Sequence, residues 1–303
     1  MAILVIGSSN TDLVAHAKSL PKPGETILGG EFFVNPGGKG ANQAVGAARV
    51  GKDVTFCCMT GEDDYGKAAK ALFEKEGIDT SYVLSTPEAP SGVALITVDE
   101  KAENCIVVAS GANLKLTPEV VDGIKDFASY DIVLAQLETP MDTIEHIGDL
   151  AKKNGVKFVL NPAPAAKLSE KLLSCIDIIT PNETEAEIIT GVHIDSDESA
   201  LAAAKCMHDM GVGTVIITLG SRGSLVSDAK GSRFVPAFKV KAVDTTAAGD
   251  IFNGSLCVAL SEGKDIDEAV RFASATASIA VTRRGAQASA PYREEVEKVL
   301  NNQ

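Results

Sequence analysis

The chain opens on a short apolar run, Ala2-Ile3-Leu4-Val5-Ile6, that stops at Gly7-Ser8-Ser9-Asn10. A β-branched run of this length, apolar at every position, predicts a strand covered on both faces. From Asp12 to Pro36 the pattern turns polar and is broken by Pro21-Lys22-Pro23-Gly24. With no helical period, this stretch predicts loop and an edge strand over 25–34. Helical spacing begins at Gly38, where Ala41, Val45 and Ala48 recur on one face and Gly51 supplies a stop. A strand over 54–59 and a helix over 65–76 follow, with Gly77 as the residue just past the helix end. Val93, Leu95 and Thr97 then alternate with Ala94, Ile96 and Val98, a polar turn covers 99–104, and Cys105-Ile106-Val107-Val108 follows it. That is a hairpin signal. The hairpin is predicted to pair with the 25–34 segment in a small sheet outside the main body.

After Thr117-Pro118, a cap with proline at the first helical position, strands and helices alternate. Strands are predicted over 132–134, 157–160, 176–180 and 214–218, with helices near 141–153, 183–190 and 197–211. Two shorter strands, 224–227 and 233–236, precede helices over about 248–262, 265–282 and 291–301. This rhythm predicts an α/β fold, a doubly wound and mostly parallel sheet with helices on both faces, in one domain spanning 1–303. Ligands of such sheets bind beyond the carboxyl ends of the strands. Asn10, Asp12, Glu138, Asn161, Asn182 and the Gly220 region fall there.

Composition narrows the function. The chain has 303 residues, 45% of them apolar and 23% charged, with no tryptophan, so its core must be mainly Val, Ile, Leu and Ala. A net charge of −13 argues against nucleic acid and anionic membrane as partners. It also means that any bound phosphate must be held by local devices: helix N-termini, backbone N–H groups, a Lys or Arg, or a magnesium ion. The six cysteines form no C-x-x-C pair and read as buried, reduced thiols. The four histidines are scattered, without metal-ligand spacing. No secretory signal precedes the first strand and no apolar run approaches the ~20 residues of a membrane span, which predicts a cytoplasmic protein.

Three stretches carry candidate chemistry. Gly61-Glu62-Asp63-Asp64-Tyr65-Gly66-Lys67-Ala68 nearly fits a P-loop. Ala68 lacks the hydroxyl for Mg²⁺, however, and three acids crowd the loop, so an ordinary strand-to-helix turn is the better reading. Asn35-Pro36-Gly37-Gly38-Lys39-Gly40-Ala41-Asn42 offers glycines for close backbone approach to a ligand, free N–H groups at a helix start, and one cation. Its plain alternative is a glycine-rich turn. Asp244-Thr245-Thr246-Ala247-Ala248-Gly249-Asp250 opens a long apolar helix. Its small residues can expose N–H groups to an anion. An acid at its end is set too deep for a cap but well placed for a base. Complementing the helix dipole is the plain alternative.

Together these motifs resemble the PfkB-type (ribokinase-like) carbohydrate kinases, and the resemblance covers essentially the whole chain. Gly-Gly-Lys-Gly-x-Asn near residue 40 is similar to the family's N-terminal signature, and Asp-Thr-x-Ala-Ala-Gly-Asp to its C-terminal one. Asn10-Thr11-Asp12, Gln136-Leu137-Glu138, Thr218-Leu219-Gly220-Ser221-Arg222-Gly223 and Arg283-Arg284-Gly285-Ala286-Gln287-Ala288-Ser289 add to the likeness. Many members carry Gly-Ala-Gly-Asp where this chain has Ala247-Ala248-Gly249-Asp250. The resemblance implies ATP-dependent phosphorylation of the primary (5-) hydroxyl of D-ribose, with Asp250 as general base and Ala247, Ala248 and Gly249 as the anion hole. It implies that Asn10, Asp12, Gly38, Lys39, Asn42, Glu138 and Asp250 hold the sugar. Asn182, Glu185 and Gly249, with the run Thr218, Leu219, Gly220, Ser221, Arg222 and Gly223, would serve ATP and Mg²⁺. A monovalent cation, potassium, would be held by Asp244, Thr246, Ala280, Arg283, Gly285 and Ser289, mostly through carbonyl oxygens. Segments about 13–36 and 91–110 would form a β-lid through which two protomers dimerise. A related kinase for another sugar or a nucleoside remains open, as does a non-catalytic sugar sensor. A dinucleotide-dependent oxidoreductase would need G-x-G-x-x-G where this chain has Gly7-Ser8-Ser9-Asn10-Thr11-Asp12.

Overall fold

In the computed structural model, Ile3 and Val5 pack into one hydrophobic layer, while Leu4 and Ile6 pack into another. That division is what an extended run apolar at every position must do, because successive side chains point to opposite faces. The structure describes residues 2–302 apart from 29, 52 and 102. Its elements in chain order are β1 (Ile3–Ile6), β2 (Asn10–His16), β3 (Glu31–Gly37), α1 (Lys39–Val50), β4 (Val54–Gly61), α2 (Asp64–Lys75), β5 (Asp79–Thr86), β6 (Gly92–Val98) and β7 (Asn104–Ala109). They continue with α3 (Pro118–Asp122), β8 (Ile132–Ala135), α4 (Met141–Asn154), β9 (Lys157–Leu160), α5 (Glu170–Leu173), β10 (Ile178–Ile179), α6 (Glu183–Thr190), α7 (Asp197–Asp209) and β11 (Thr214–Thr218). The last are β12 (Ser224–Asp228), β13 (Gly231–Val235), α8 (Ala248–Ser261), α9 (Ile266–Ala280) and α10 (Arg293–Asn301).

Nine strands form the main sheet in the order β13-β12-β11-β10-β9-β8-β1-β4-β5. Neighbours from β11 through β5 run parallel, while β12 and β13 are antiparallel. One face is covered by α1, α8 and α9 through residues such as Val45, Phe252, Leu256 and Val270. The other is covered by α4, α6 and α7 through Ile144, Ile147, Ala186, Ala203 and Met207. The doubly wound sheet therefore sits between two helical layers.

A second sheet has the order β3-β2-β6-β7. Here the local reading needs correction. The 92–109 hairpin forms, but it pairs with β2, in parallel, and not with the 25–34 segment. The edge strand lies at Glu31–Gly37 and pairs with β2 from the other side. Residues 10–16 are a full strand where the pattern predicted loop, and β5 was not predicted at all. Of the polar turn at 99–104, residue 102 lies outside the described residues. Gly61–Ala68 is a strand-to-helix turn. Asp63 caps α2 by accepting from Gly66 N, and its carboxylate also takes Ser91 N and Ser91 Oγ. That carboxylate is held below its ordinary range because these hydrogen bonds outweigh the effect of partial burial. All six cysteines are free, but only Cys57, Cys58 and Cys257 are buried, and Cys105 on β7 is exposed. No helix among the described residues is long and apolar enough to cross a membrane.

Candidate active site

The carboxyl ends of β1, β8, β9, β10 and β11 open on one edge of the sheet, and the start of α8 faces them. Asp250, in the first turn of α8, is buried. Its Oδ2 accepts from Asn42 Nδ2 at 3.0 Å and its Oδ1 from Gln43 Nε2 at 3.1 Å. Burial raises the Asp250 pKa; Lys39 and the two amides pull it down, Glu138 adds to the rise, and the net shift is upward. Asn42 Oδ1 is buried and makes no hydrogen bond, so the site holds an acceptor facing no protein donor.

Lys39 is half-buried. Burial alone would lower its pKa, but Asp250, Glu138 and Glu185 together outweigh that and keep its ammonium charged. Glu138 Oε2 accepts from Ser8 Oγ at 2.5 Å and from Lys39 N at 3.0 Å. Asp12, on β2, is pushed up to about 6 by burial first and then by Glu138 and Asp250. One ammonium therefore shares the pocket with Asp12, Glu138, Asp250 and Glu185. Asn10 is oriented by a residue that the sequence pattern did not single out. Asn113 donates from Nδ2 to Asn10 Oδ1 at 2.7 Å, while its own Oδ1 accepts Ser9 N at 2.9 Å. With its oxygen occupied, Asn10 has its amide N–H₂ left for a ligand.

The glycines at the start of α1 have a different use from the one their spacing suggests. Gly38 has φ +88°, and a Cβ there would lie 2.7 Å from Asn10 N. A Cβ on Gly40 would lie 2.6 Å from Ser8 N. These glycines let α1 pack onto the chain leaving β1. The N–H groups at the helix start are consumed inside the protein. Lys39 N meets Glu138, Gly40 N meets Ser8 Oγ at 3.2 Å, and Ala41 N meets Ser8 O at 2.9 Å. The start of α1 is thus not a free anion site.

The start of α8 is. Ala247 takes the left-handed conformation at φ 58°, which costs a residue with a Cβ about 1–2 kcal/mol. Ala248 N donates to Thr245 O at 3.2 Å. Among the described residues no protein acceptor meets the N–H groups of Ala247, Gly249 or Asp250. A Cβ at Gly249 would meet nothing within 4 Å, so there is open space beside this turn.

Asn182 and Glu185 form a reciprocal capping box at the start of α6, with both bonds 2.8 Å. Burial raises the Glu185 pKa, partly offset by the Asn182 N–H and by Lys39, while Asp250 adds to the rise. One oxygen caps the helix while the carboxylate shares the field of Lys39. Thr218 ends β11, and exposed Gly220 at φ +57° has nothing within 4 Å of where a Cβ would stand. Gly223 is different: a Cβ there would strike Val235 O of β13, so its glycine serves strand packing. Leu219 is buried, Ser221 is exposed, and Arg222 pairs with Glu183 at 2.9 Å and Asp197 at 3.1 Å.

Asp244 joins the α8 approach to the segment after α9. Its Oδ1 accepts from Thr246 N and Oγ1, and its Oδ2 accepts from Gly285 N at 2.9 Å. Burial would raise its pKa, but these bonds bring it below the ordinary value. Among the described residues no hydrogen bond is made to the carbonyl oxygens of Thr246, Arg283 or Gly285. Ala280 O accepts from Arg283 N, and Ser289 Oγ donates to Ala286 O. The Arg283 side chain pairs with Glu295, away from this loop. Uncommitted carbonyls beside an ionised acid suit a hard cation. No group of three His, Cys, Asp or Glu among the described residues could hold a metal ion.

The sequence reading missed Gln43, Ser8 and Asn113. The signal for Gln43 was present: Asn42-Gln43 interrupts Gly40-Ala41…Ala44-Val45-Gly46-Ala47, a helix too apolar to lie at the surface. An amide there must be paired. Ser8 and Asn113 had no such signal.

Residues 2–293 match the model of the pfkB family carbohydrate kinases. The chain is 50% identical over 301 residues to a ribokinase of Haemophilus influenzae, covering 99% of this chain and 98% of that one. It is 37% identical over 303 residues to a deoxyribokinase of Salmonella typhi, covering 99% of both. A solved structure of Arabidopsis thaliana ribokinase complexed with ribose and ATP superposes with a TM-score of 0.91 at 34% identity, over 99% of this chain and 98% of that one.

Proposed function

The chain belongs to the pfkB family of carbohydrate kinases, and from that premise we propose that it transfers the γ-phosphoryl group of ATP to the 5-hydroxyl of D-ribose, giving ribose 5-phosphate and ADP. The observation that carries this reading is Asp250. Its carboxylate is buried, gripped on both oxygens by amides, and set next to three open N–H groups at the start of α8.

The sugar lies between the sheet edge and the second sheet. Asn10 and Lys39 donate to its oxygens, while Asp12, Glu138 and Asn42 Oδ1 accept from its hydroxyls. A site of paired donors and acceptors rejects analogues that lack a hydroxyl, because buried groups are left without partners. Asp250 takes the proton of the 5-hydroxyl, and its raised pKa makes it a stronger base than a solvated carboxylate. Negative charge on the transferring phosphoryl is met by the N–H groups at 247, 249 and 250 and by Lys39. Asn182, Glu185 and the 218–223 turn line the nucleotide. The second sheet (segments about 13–36 and 91–110) acts as a lid that excludes water, which would otherwise compete as acceptor. When bound, Mg²⁺ offsets phosphate charge in a pocket already crowded with carboxylates. A potassium ion would be held by Asp244 and the free carbonyls of Thr246, Arg283 and Gly285, with Ala280 and Ser289, which already carry internal hydrogen bonds, at its edge, and would supply charge that steadies the loop before α8.

A deoxyribose kinase is the second reading, favoured by the full-length likeness to a deoxyribokinase. One assay separates the two: coupled ADP release over ribose, deoxyribose, fructose and adenosine, with and without potassium. Ribose is expected to give the highest kcat/KM, and potassium to raise it. In the same assay Asp250→Asn is expected to fold normally and lose on the order of 10²–10⁴-fold in kcat. Near-normal turnover by that variant would overturn the assignment.

A further inference from the structure

We propose that Gln43 is a positioning residue that aims the Asp250 carboxylate at the acceptor hydroxyl; this rests on the reading of Asp250 as the base. Gln43 has no exposed surface, and every polar atom of its side chain is used. Nε2 donates to Asp250 Oδ1 at 3.1 Å and to Asn161 Oδ1 at 3.0 Å, and Oε1 accepts from Gln136 Nε2 at 2.6 Å. These partners fix the amide orientation. A flipped amide would set its oxygen against the oxygens of Asp250 and Asn161 and its NH₂ against that of Gln136.

The chain of bonds continues beyond Gln43 and returns to the same helix turn. Asn161 Nδ2 donates to Thr180 O at 3.2 Å, Thr180 Oγ1 to Asn253 Oδ1 at 2.6 Å, and Asn253 Nδ2 to Gly249 O at 2.8 Å. Asp250 is thus held at its carboxylate by Gln43 and at the preceding peptide by Asn253. The links are the ends of β8, β9 and β10, so the base is referenced to the rigid sheet and not to a loop. Asn42 holds Oδ2 only. One donor leaves the carboxylate free to turn about Cβ–Cγ, whereas donors on both oxygens fix its plane. A polar network this deeply buried is costly, the more so because Gln136 Oε1 has no partner, and a methionine at 43 would fill the same space at the cost of this aim.

The charged groups facing Asp250 are Lys39 from α1, Asp12 from β2, Glu138 after β8 and Glu185 from α6. Removing the Gln43 N–H disfavours the carboxylate form, so the acid limb of the rate profile must move to higher pH. Gln43 makes no hydrogen bond to Asp12, Glu138 or Glu185, so the displacement originates at Asp250.

The test is Gln43→Met, assayed for kcat and sugar KM across the acidic to neutral range, with Asp250→Asn in parallel and circular dichroism on both. The expected result is a kcat loss on the order of 10²-fold, a sugar KM near that of the parent, and an acid limb displaced upward. If Asp250→Asn turns over normally, the reading of the base fails and takes this inference with it. If Asp250→Asn is inactive while Gln43→Met keeps the parent kcat and pH profile, this inference alone is overturned. A lower kcat with an unmoved acid limb also overturns it, since that is what general loosening would give. Should Gln43→Met not fold, Gln136→Met removes the donor that pins Gln43 Oε1. The same upward displacement is expected, and an unmoved limb overturns the proposal.

Discussion

Asp12, which we propose as a sugar ligand, is kept at a cost to the fold. Burial and two neighbouring carboxylates push its pKa up to about 6, against 3.8 for the ordinary group. The folded state therefore takes up a proton more readily than the unfolded chain. Stability suffers while Asp12 is ionised, above about pH 6, and recovers as pH falls through 6 toward 3.8. Asp12→Asn is expected to raise the melting temperature at pH 8, with a gain that shrinks in mildly acidic buffer, and to weaken sugar binding throughout. Thermal denaturation at several pH values and steady-state KM check both halves, and a gain independent of pH would contradict the cause given. Candidates at 10, 12 and 138 were legible as polar residues just beyond predicted strands, whereas Asn42 and Asp250 were singled out by the two glycine-bearing motifs and the family resemblance they carry. Gln43 was passed over because its neighbours made the whole helix look like packing. Its role depends on three partners more than 90 residues away in sequence.

At the scale of elements, two short segments set the pocket. The 111–115 turn that follows β7 carries Asn113, which satisfies Ser9 N and fixes the Asn10 amide. Asn113→Ala leaves a buried N–H unpaired, which costs about 1–3 kcal/mol. It should also raise the sugar KM more than it lowers kcat; denaturant unfolding and kinetics together test this, and an unchanged KM would show that Asn10 is oriented otherwise. The second segment is the start of α1, where Gly38 and Gly40 make room for the backbone of Ser8 to Asn10. Sequence pattern identified this glycine run and its helix, but not which backbone the glycines approach. The same limit explains β2. Asn-Thr-Asp-Leu-Val-Ala-His has no clean alternation, because this strand lies in the second sheet and turns Asn10 and Asp12 toward the pocket. Its parallel pairing with β6 joins segments about 80 residues apart, and no local signal announces such a contact.

At the scale of the whole molecule, the second sheet leaves an apolar face uncovered. Phe32, Val34, Leu95 and Val107 are 64%, 53%, 52% and 60% exposed. Register places Val34, Leu13, Leu95 and Val107 side by side, on the face opposite Asp12. A contiguous apolar face of this kind marks an interaction surface, and the proposed occupant is the same face of a second copy. Val107→Asp is expected to convert a dimer into a folded monomer, as read by analytical ultracentrifugation; a mass unchanged by the substitution would place the interface elsewhere. The sequence by itself determined the alternation of strands and helices, the doubly wound sheet and the two glycine-bearing motifs, because periodicity and helix-start chemistry are local properties. Tertiary structure alone decided that the donors at the start of α1 are spent internally while those of α8 stay open. It also decided that Asp250 is held by an amide relay across three strand ends, and that β2 bridges the hairpin to its edge strand. Each of those depends on which distant groups share a small volume, and burial strengthens their interactions only once the chain has brought them together.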